Sequence, residues 1–171
     1  MTQELIDLKK SILEGRYVDA LATVDELEGM SRQAILRNIQ FLLLRLLIHL
    51  IKNQVEQRLT NSWANSIRSL IREIKKLNLQ DNKSSYYVKP DEWGAMLEDE
   101  FEEAIYLASE EVMEGNYSPS QLAAMINKKQ VIADAHRVLL LTYNYSQKEL
   151  STGINEVLSQ LPGGKGWIDR I

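Results

Sequence analysis

The chain has 171 residues, a net charge of −4 and no cysteine. That length suits one domain, which removes roughly 70% of the unfolded chain's surface from water and requires no staple. The missing cysteines exclude disulfides, thiolate zinc sites, iron–sulfur clusters and cysteine nucleophiles, and the cytoplasm is the simplest compartment.

In chain order, Leu5, Leu8 and Ile12 recur at helical spacing behind Thr2 until Gly15 stops the run. The opening residues lack the basic and apolar regions of a secretory signal. Tyr17, Leu21, Val24 and Leu27 predict a second helix ending near Gly29, so residues 3–29 read as an αα-hairpin. Its junction, Glu14-Gly15-Arg16-Tyr17, is similar to that of a tetratricopeptide unit, but no second copy follows at that period of about 34 residues.

Ser31 reads as the N-cap of a third, long helix, with Met30 stapling onto Ile35 and an apolar pattern continuing to about Leu59. Apolar around most of its circumference, it belongs at the centre of a bundle. The strongest membrane candidate, Phe41–Ile51, is interrupted by Arg45 and closed by Lys52, far short of the ~18 uncharged apolar residues a span needs. Thr60-Asn61-Ser62 offers three capping side chains for a helix with an apolar stripe of Trp63, Ile67, Leu70, Ile71, Ile74 and Leu77, antiparallel to the one before.

Residues 78–89 read as a polar surface connection. Pro90-Asp91-Glu92 starts an acidic helix that runs to Glu114, with Gly115 as its C′ residue. Capping boxes at Ser118, Asn127 and Ser146 start helices near 119, 128 and 147, the first two alternatively forming one helix kinked at Asn127. Residues 162–171 read as a flexible tail. The expectation is an all-α, single-domain bundle over 1–171, with seven or eight helices and no strand.

The segments Leu13-Glu14-Gly15-Arg16-Tyr17, Asp25 to Ser31, His49-Leu50-Ile51-Lys52 and Ser62-Trp63 together resemble the bacterial family called domain of unknown function twenty-nine. The match in order and spacing covers roughly residues 10–77. Ser85-Tyr86-Tyr87-Val88 and Leu161-Pro162-Gly163-Gly164 look like a cyanobacterial-type branch. The resemblance implies an all-α bundle in a bacterial cytoplasm and supplies no reaction. Its recurring residues here are Glu26, His49, Lys52, Arg58, Ser62 and Trp63, and Asn53 stands where many relatives carry an aromatic.

Arg45, His49, Lys52 and Glu56 follow one another at i+4, i+3 and i+4, a polar stripe on the most apolar helix. One reading is a small internal site in which His49 titrates near neutrality and Glu26 or Glu28, from the preceding helix, answers Arg45 or Lys52. The simpler reading is a satisfied histidine and a snorkelling arginine at the bundle edge. Trp63, in phase with Ile67 and Ile74, reads as core more simply than as a partner-facing aromatic.

Charge is segregated. Residues 52–89 carry eight bases, among them Arg58, Arg68, Arg72, Lys75, Lys76 and Lys83, against three acids, one of them Asp81. Residues 91–114 carry ten acids, including Asp99, Glu103, Glu110 and Glu114, and no base. The basic face is a candidate phosphate-backbone track, although no aromatic is interleaved with it. The acidic stripe is a candidate Mg²⁺ or Ca²⁺ collector, more simply a solvated or partner-facing surface.

Glu-x-x-His pairs, nucleotide loops and the serine elbow are absent, so no cofactor is expected. The leading expectation is a non-enzymatic interaction or adaptor module with a protein partner or a second copy. The alternatives are a nucleic-acid-binding regulator using residues 52–76 and a weak enzyme at His49.

Overall fold

The computed structural model describes residues 2–80 and 84–170, so Asp81 and Lys83 of the charge count lie outside the described residues. Eight α-helices form an all-α bundle: α1 Gln3–Leu13, α2 Tyr17–Glu56, α3 Asn61–Asn78, α4 Trp93–Glu111, α5 Pro119–Met125, α6 Lys128–Asn144, α7 Leu150–Ser159 and α8 Gly164–Ile168. The only β pairing among the described residues is an isolated bridge between Leu79 and Tyr86. Where one domain is expected, the chain divides into two compact units, Met1–Asn38 and Ile39–Ile171.

The predicted break at Gly29–Ser31 does not exist. α2 runs unbroken for 40 residues, with Gly29 in helical conformation and Ser31 in the helix interior. A single internal glycine weakens a helix by only about 1 kcal/mol, less than the flanking periodic residues contribute. α2 stops at Glu56 rather than Leu59, because Gln57 turns left-handed at φ 53° and donates its N–H to the Asn53 carbonyl at 2.9 Å.

α2 is also long and apolar enough, by length and composition alone, to cross a membrane, although 44% of its most apolar window is buried within the protein.

Among the described residues of the unit Met1–Asn38, Ser11 and Ala20 alone are buried. The unit Ile39–Ile171 holds the core. There α6 packs on α3, α4 and α7, while α7 also meets α3 and α8. The buried face of α3 is Ala64, Ile67, Ile71, Ile74 and Asn78, with Leu70 and Leu77 only half-buried. Thr60 caps α3 by accepting the Trp63 N–H at 3.1 Å.

α4 begins behind a single 3₁₀ turn, Pro90–Glu92, in which the Glu92 carboxylate accepts the Lys89 N–H at 3.0 Å. It ends at Glu111, three residues before the predicted stop, since Met113 and Glu114 adopt φ of 47° and 59° ahead of Gly115 at 78°. Two successive left-handed residues without glycine end a helix as firmly as the expected cap, and they are strained.

Ser118 and Asn127 cap α5 and α6, which are separate helices. The Ser146 hydroxyl accepts the Glu149 N–H at 3.3 Å, but the α-helix there starts only at Leu150.

Two expected surface segments are built into the core. Asn78 and Val88, at the ends of the connection, are both about 1% exposed. The terminus also departs from the flexible tail predicted for 162–171. Gly164–Ile168 is helical, Trp167 is buried, and its Nε1–H donates to Asn61 Oδ1 at 2.8 Å. Asn53, 1% exposed, donates through Nδ2 to the Arg58 carbonyl at 3.0 Å and to the Pro162 carbonyl at 2.8 Å. This one polar side chain thus satisfies backbone from two turns at once.

Candidate functional site

The last three turns of α2 lie alongside the first half of α3, joined by the short turn 57–60. An open groove of about 470 Å³ runs between them, lined by Arg45, His49, Ser62, Asn65, Ser66, Ser69 and Leu70. Their order matches antiparallel packing, since Lys52 meets Trp63 near the turn while Arg45 shares the groove with Leu70.

His49 borders this groove at 7% exposure, and its Nδ1 is enclosed without a hydrogen-bond partner. Burial first, and then the charges of Lys52 and Arg45, press its pKa from 6.5 down to about 4 against the opposing charge of Glu111. His49 is therefore neutral at neutral pH, not titrating there as the internal-site reading expects.

The folded pKa lies below the unfolded one, so between pH 6.5 and about 4 the unfolded chain binds more protons. The neutral ring's contribution to stability is full above pH 6.5 and is lost as pH falls through about 4. Over that window it amounts to roughly 2 kcal/mol, allowing for solvent in the groove. Urea unfolding across the window should show a steeper loss of stability for the native chain than for His49→Gln.

Lys52 is answered not by Glu26 but by Glu111 of α4, Nζ to Oε2 at 2.9 Å, and this contact holds the Glu111 carboxyl below its usual range. Glu26 is exposed in the unit Met1–Asn38, on the same helix as His49, and no turn at Gly29 folds it or Glu28 back.

Trp63 is half-buried rather than core. Lys52 Nζ stands 5.0 Å and Arg58 Cζ 4.7 Å from its ring centroid. Arg58 also pairs with Glu56 at 3.0 Å, the second carboxylate of the polar stripe. Around this cluster the three left-handed non-glycine residues gather: Gln57 in the α2–α3 turn, and Met113 and Glu114 beside a depression lined by Glu56, Arg58 and Glu111.

The charged faces separate on inspection. On α3, Arg68 donates to Asn65 at 2.7 Å and to Asn155 of α7 at 3.1 Å, and Lys75 donates to the Thr142 carbonyl at 2.6 Å. Of the α3 bases Arg72 and Lys76 are exposed and Arg68 and Lys75 are half-buried, while Arg58, in the turn before α3, is exposed. On α4, Asp99, Glu103 and Glu110 are exposed, and Glu114 lies past the helix end. Burial and the neighbouring Asp99 and Glu103 raise the Glu100 pKa.

Among the described residues the basic block 52–89 and the acidic block 91–114 are joined by the Lys52–Glu111 pair, and no ion pair joins α3 to α4. Nor is any group of three or more His, Asp or Glu side chains placed there to hold a metal.

Fold and site together define an all-α protein with a polar groove on its central helix pair, and neither a cysteine nor a metal-holding cluster among the described residues. The chain belongs to the family described as domain of unknown function DUF29, which matches residues 3–135. No curated protein and no solved structure matches it. Of the residues the family resemblance singled out, the structure brings His49 and Ser62 to one groove and stacks Lys52 and Arg58 on Trp63, leaving Glu26 apart. Sequence reasoning missed Asn65, Ser66 and Ser69; the i, i+4, i+7 spacing of Ser62, Ser66 and Ser69 was the available signal.

Proposed function

We propose that this is a non-enzymatic, cytoplasmic protein-interaction module whose N-terminal hairpin pairs with a second copy of itself. One observation carries the reading. In the unit Met1–Asn38, Leu13, Tyr17, Val18 and Leu21 are 76%, 66%, 82% and 64% exposed, while among its described residues Ser11 and Ala20 alone are buried. Two helices of that length cannot form a core alone, and two such hairpins make a four-helix bundle. Among residues 2–38, seven acids stand against five bases, a near balance that permits self-pairing.

The exposed acids of α4 then serve as the face that selects a further partner. A nucleic-acid track has less support, because Arg68 and Lys75 are engaged within the chain. Catalysis at His49 has less support too, because no carboxylate lines its groove.

Light scattering behind size exclusion, at tens of micromolar, should find twice the chain mass. Leu21→Asp should weaken the pairing by about a hundredfold, since a charge would enter an apolar interface, with far-UV circular dichroism unchanged. A native chain monomeric at every concentration sinks the self-pairing reading.

A further inference from the structure

We propose that the groove between the C-terminal part of α2 and the first half of α3 binds a phosphate monoester, held by Arg45, Ser62, Asn65, Ser66 and Ser69 beside His49. The groove is lined by donors that nothing else in the described chain uses. Arg45 is half-buried on the most apolar helix, and no hydrogen bond or ion pair to it is found among the described residues. Its guanidinium has no counter-charge within the described chain and is open to an anion in the groove.

Ser62, Ser66 and Ser69 share one face of α3, and their hydroxyls likewise find no partner among the described residues. Asn65 Oδ1 is occupied by Arg68 at 2.7 Å, so its amide N–H groups are what it offers the groove.

An independent observation is His49. At 7% exposure, with Nδ1 enclosed and unpartnered, it lines the same groove. A buried polar ring without a partner is rare in a purely structural setting. No carboxylate lines the groove, and the nearest acid that His49 senses, Glu111, is tied to Lys52 at 2.9 Å. Arg45 and Lys52 on its own helix and Glu111 on α4 are the charges His49 feels, and α3 contributes only neutral groups to the lining.

A groove with Arg45 in its lining and no carboxylate, along the N-terminal half of an 18-residue helix, favours an anion. Its donors come from two helices, and Ser66 stands about one turn of α3 from Ser62 and from Ser69, so a phosphate seated at Ser66 also reaches the neighbouring hydroxyl on the side it occupies. Three phosphate oxygens on a tetrahedral centre can accept from both sides, whereas a flat carboxylate meets only part of the set. The volume of about 470 Å³ has room for the alcohol that carries the phosphate.

Isothermal titration calorimetry on the full chain, at about 150 mM salt to screen non-specific attraction, would use O-phosphoserine and adenosine 5′-monophosphate as probes, with acetate as control. Saturable binding of at least one phosphate and none of acetate is expected. Arg45→Gln should weaken it about tenfold and Ser66→Ala about threefold, with unfolding midpoints unchanged. The NMR titration of the His49 ring should move to higher pH on saturation. Tighter O-phosphoserine identifies a phosphorylated side chain as the source of the group, and tighter adenosine monophosphate a nucleotide. No saturable binding of either, or equal affinity in Arg45→Gln, overturns the proposal. Leu21→Asp should bind the probe normally, which separates this site from the self-pairing of the hairpin.

Discussion

Asn78→Leu should destabilise the fold by about 2–3 kcal/mol, read as a lower urea midpoint with an unchanged slope. Asn78 is the node where the end of α3, the 84–89 segment, α4 and α6 meet. Its Nδ2 donates to the Val88 carbonyl at 2.9 Å and to Tyr143 at 3.3 Å, and its Oδ1 accepts the Val88 N–H at 2.7 Å. The Tyr143 hydroxyl in turn donates to the Val88 carbonyl at 2.6 Å and accepts the Trp93 indole N–H at 2.7 Å.

A leucine fills the same space but strands the Val88 N–H in a site closed to water, and a stranded donor costs more than the lost hydrogen bond contributed. Tyr143→Phe should cost a comparable amount, about 2 kcal/mol, because Val88 keeps its bonds to Asn78 but the indole N–H of buried Trp93 loses its acceptor. The double variant should lose less than the sum, since both changes break one network. Strict additivity would show that the bonds act separately. Burial pushes the Tyr143 hydroxyl up to about 12, so the network keeps its proton throughout the assay range.

The second large effect is expected at Gly164. A Cβ there would collide with the Leu158 carbonyl oxygen and approach the Ser159 carbonyl carbon to 2.8 Å, both backbone atoms of α7. Backbone cannot swing aside as a side chain does, so Gly164→Ala should force α8 away and cost about 3 kcal/mol. Trp167 would be exposed with it, giving red-shifted fluorescence in the folded baseline. The control is two residues on. At Gly166 an added Cβ meets nothing within 4 Å, and alanine there should be neutral or stabilising by up to about 1 kcal/mol. If both alanines behaved alike, the docking of α8 would have no bearing on stability.

The legible parts of the fold were those governed by local chemistry. Thr60, Ser118 and Asn127 start helices where their side chains accept a backbone N–H three residues on. Ile67, Ile71 and Ile74 lie buried where a 3.6-residue period puts them. Gly29 and Ser31 misled because each is only a local preference of about 1 kcal/mol, outweighed by the helix on either side. Trp63 was in phase with the apolar stripe but sits at its edge, where Lys52 and Arg58 cover its faces instead of apolar neighbours.

By itself, the amino-acid sequence determined an all-α bundle, most of its helix starts, the missing thiol chemistry and a polar stripe of Arg45, His49 and Lys52, because each follows from composition or from spacing along one chain. Only the tertiary structure decided which groups answer that stripe. Glu111 is 59 residues beyond Lys52, and Pro162 is 109 beyond Asn53. Such partners depend on how helices pack, and the lack of one at Arg45 and at His49 Nδ1 appears only once every neighbour is in place.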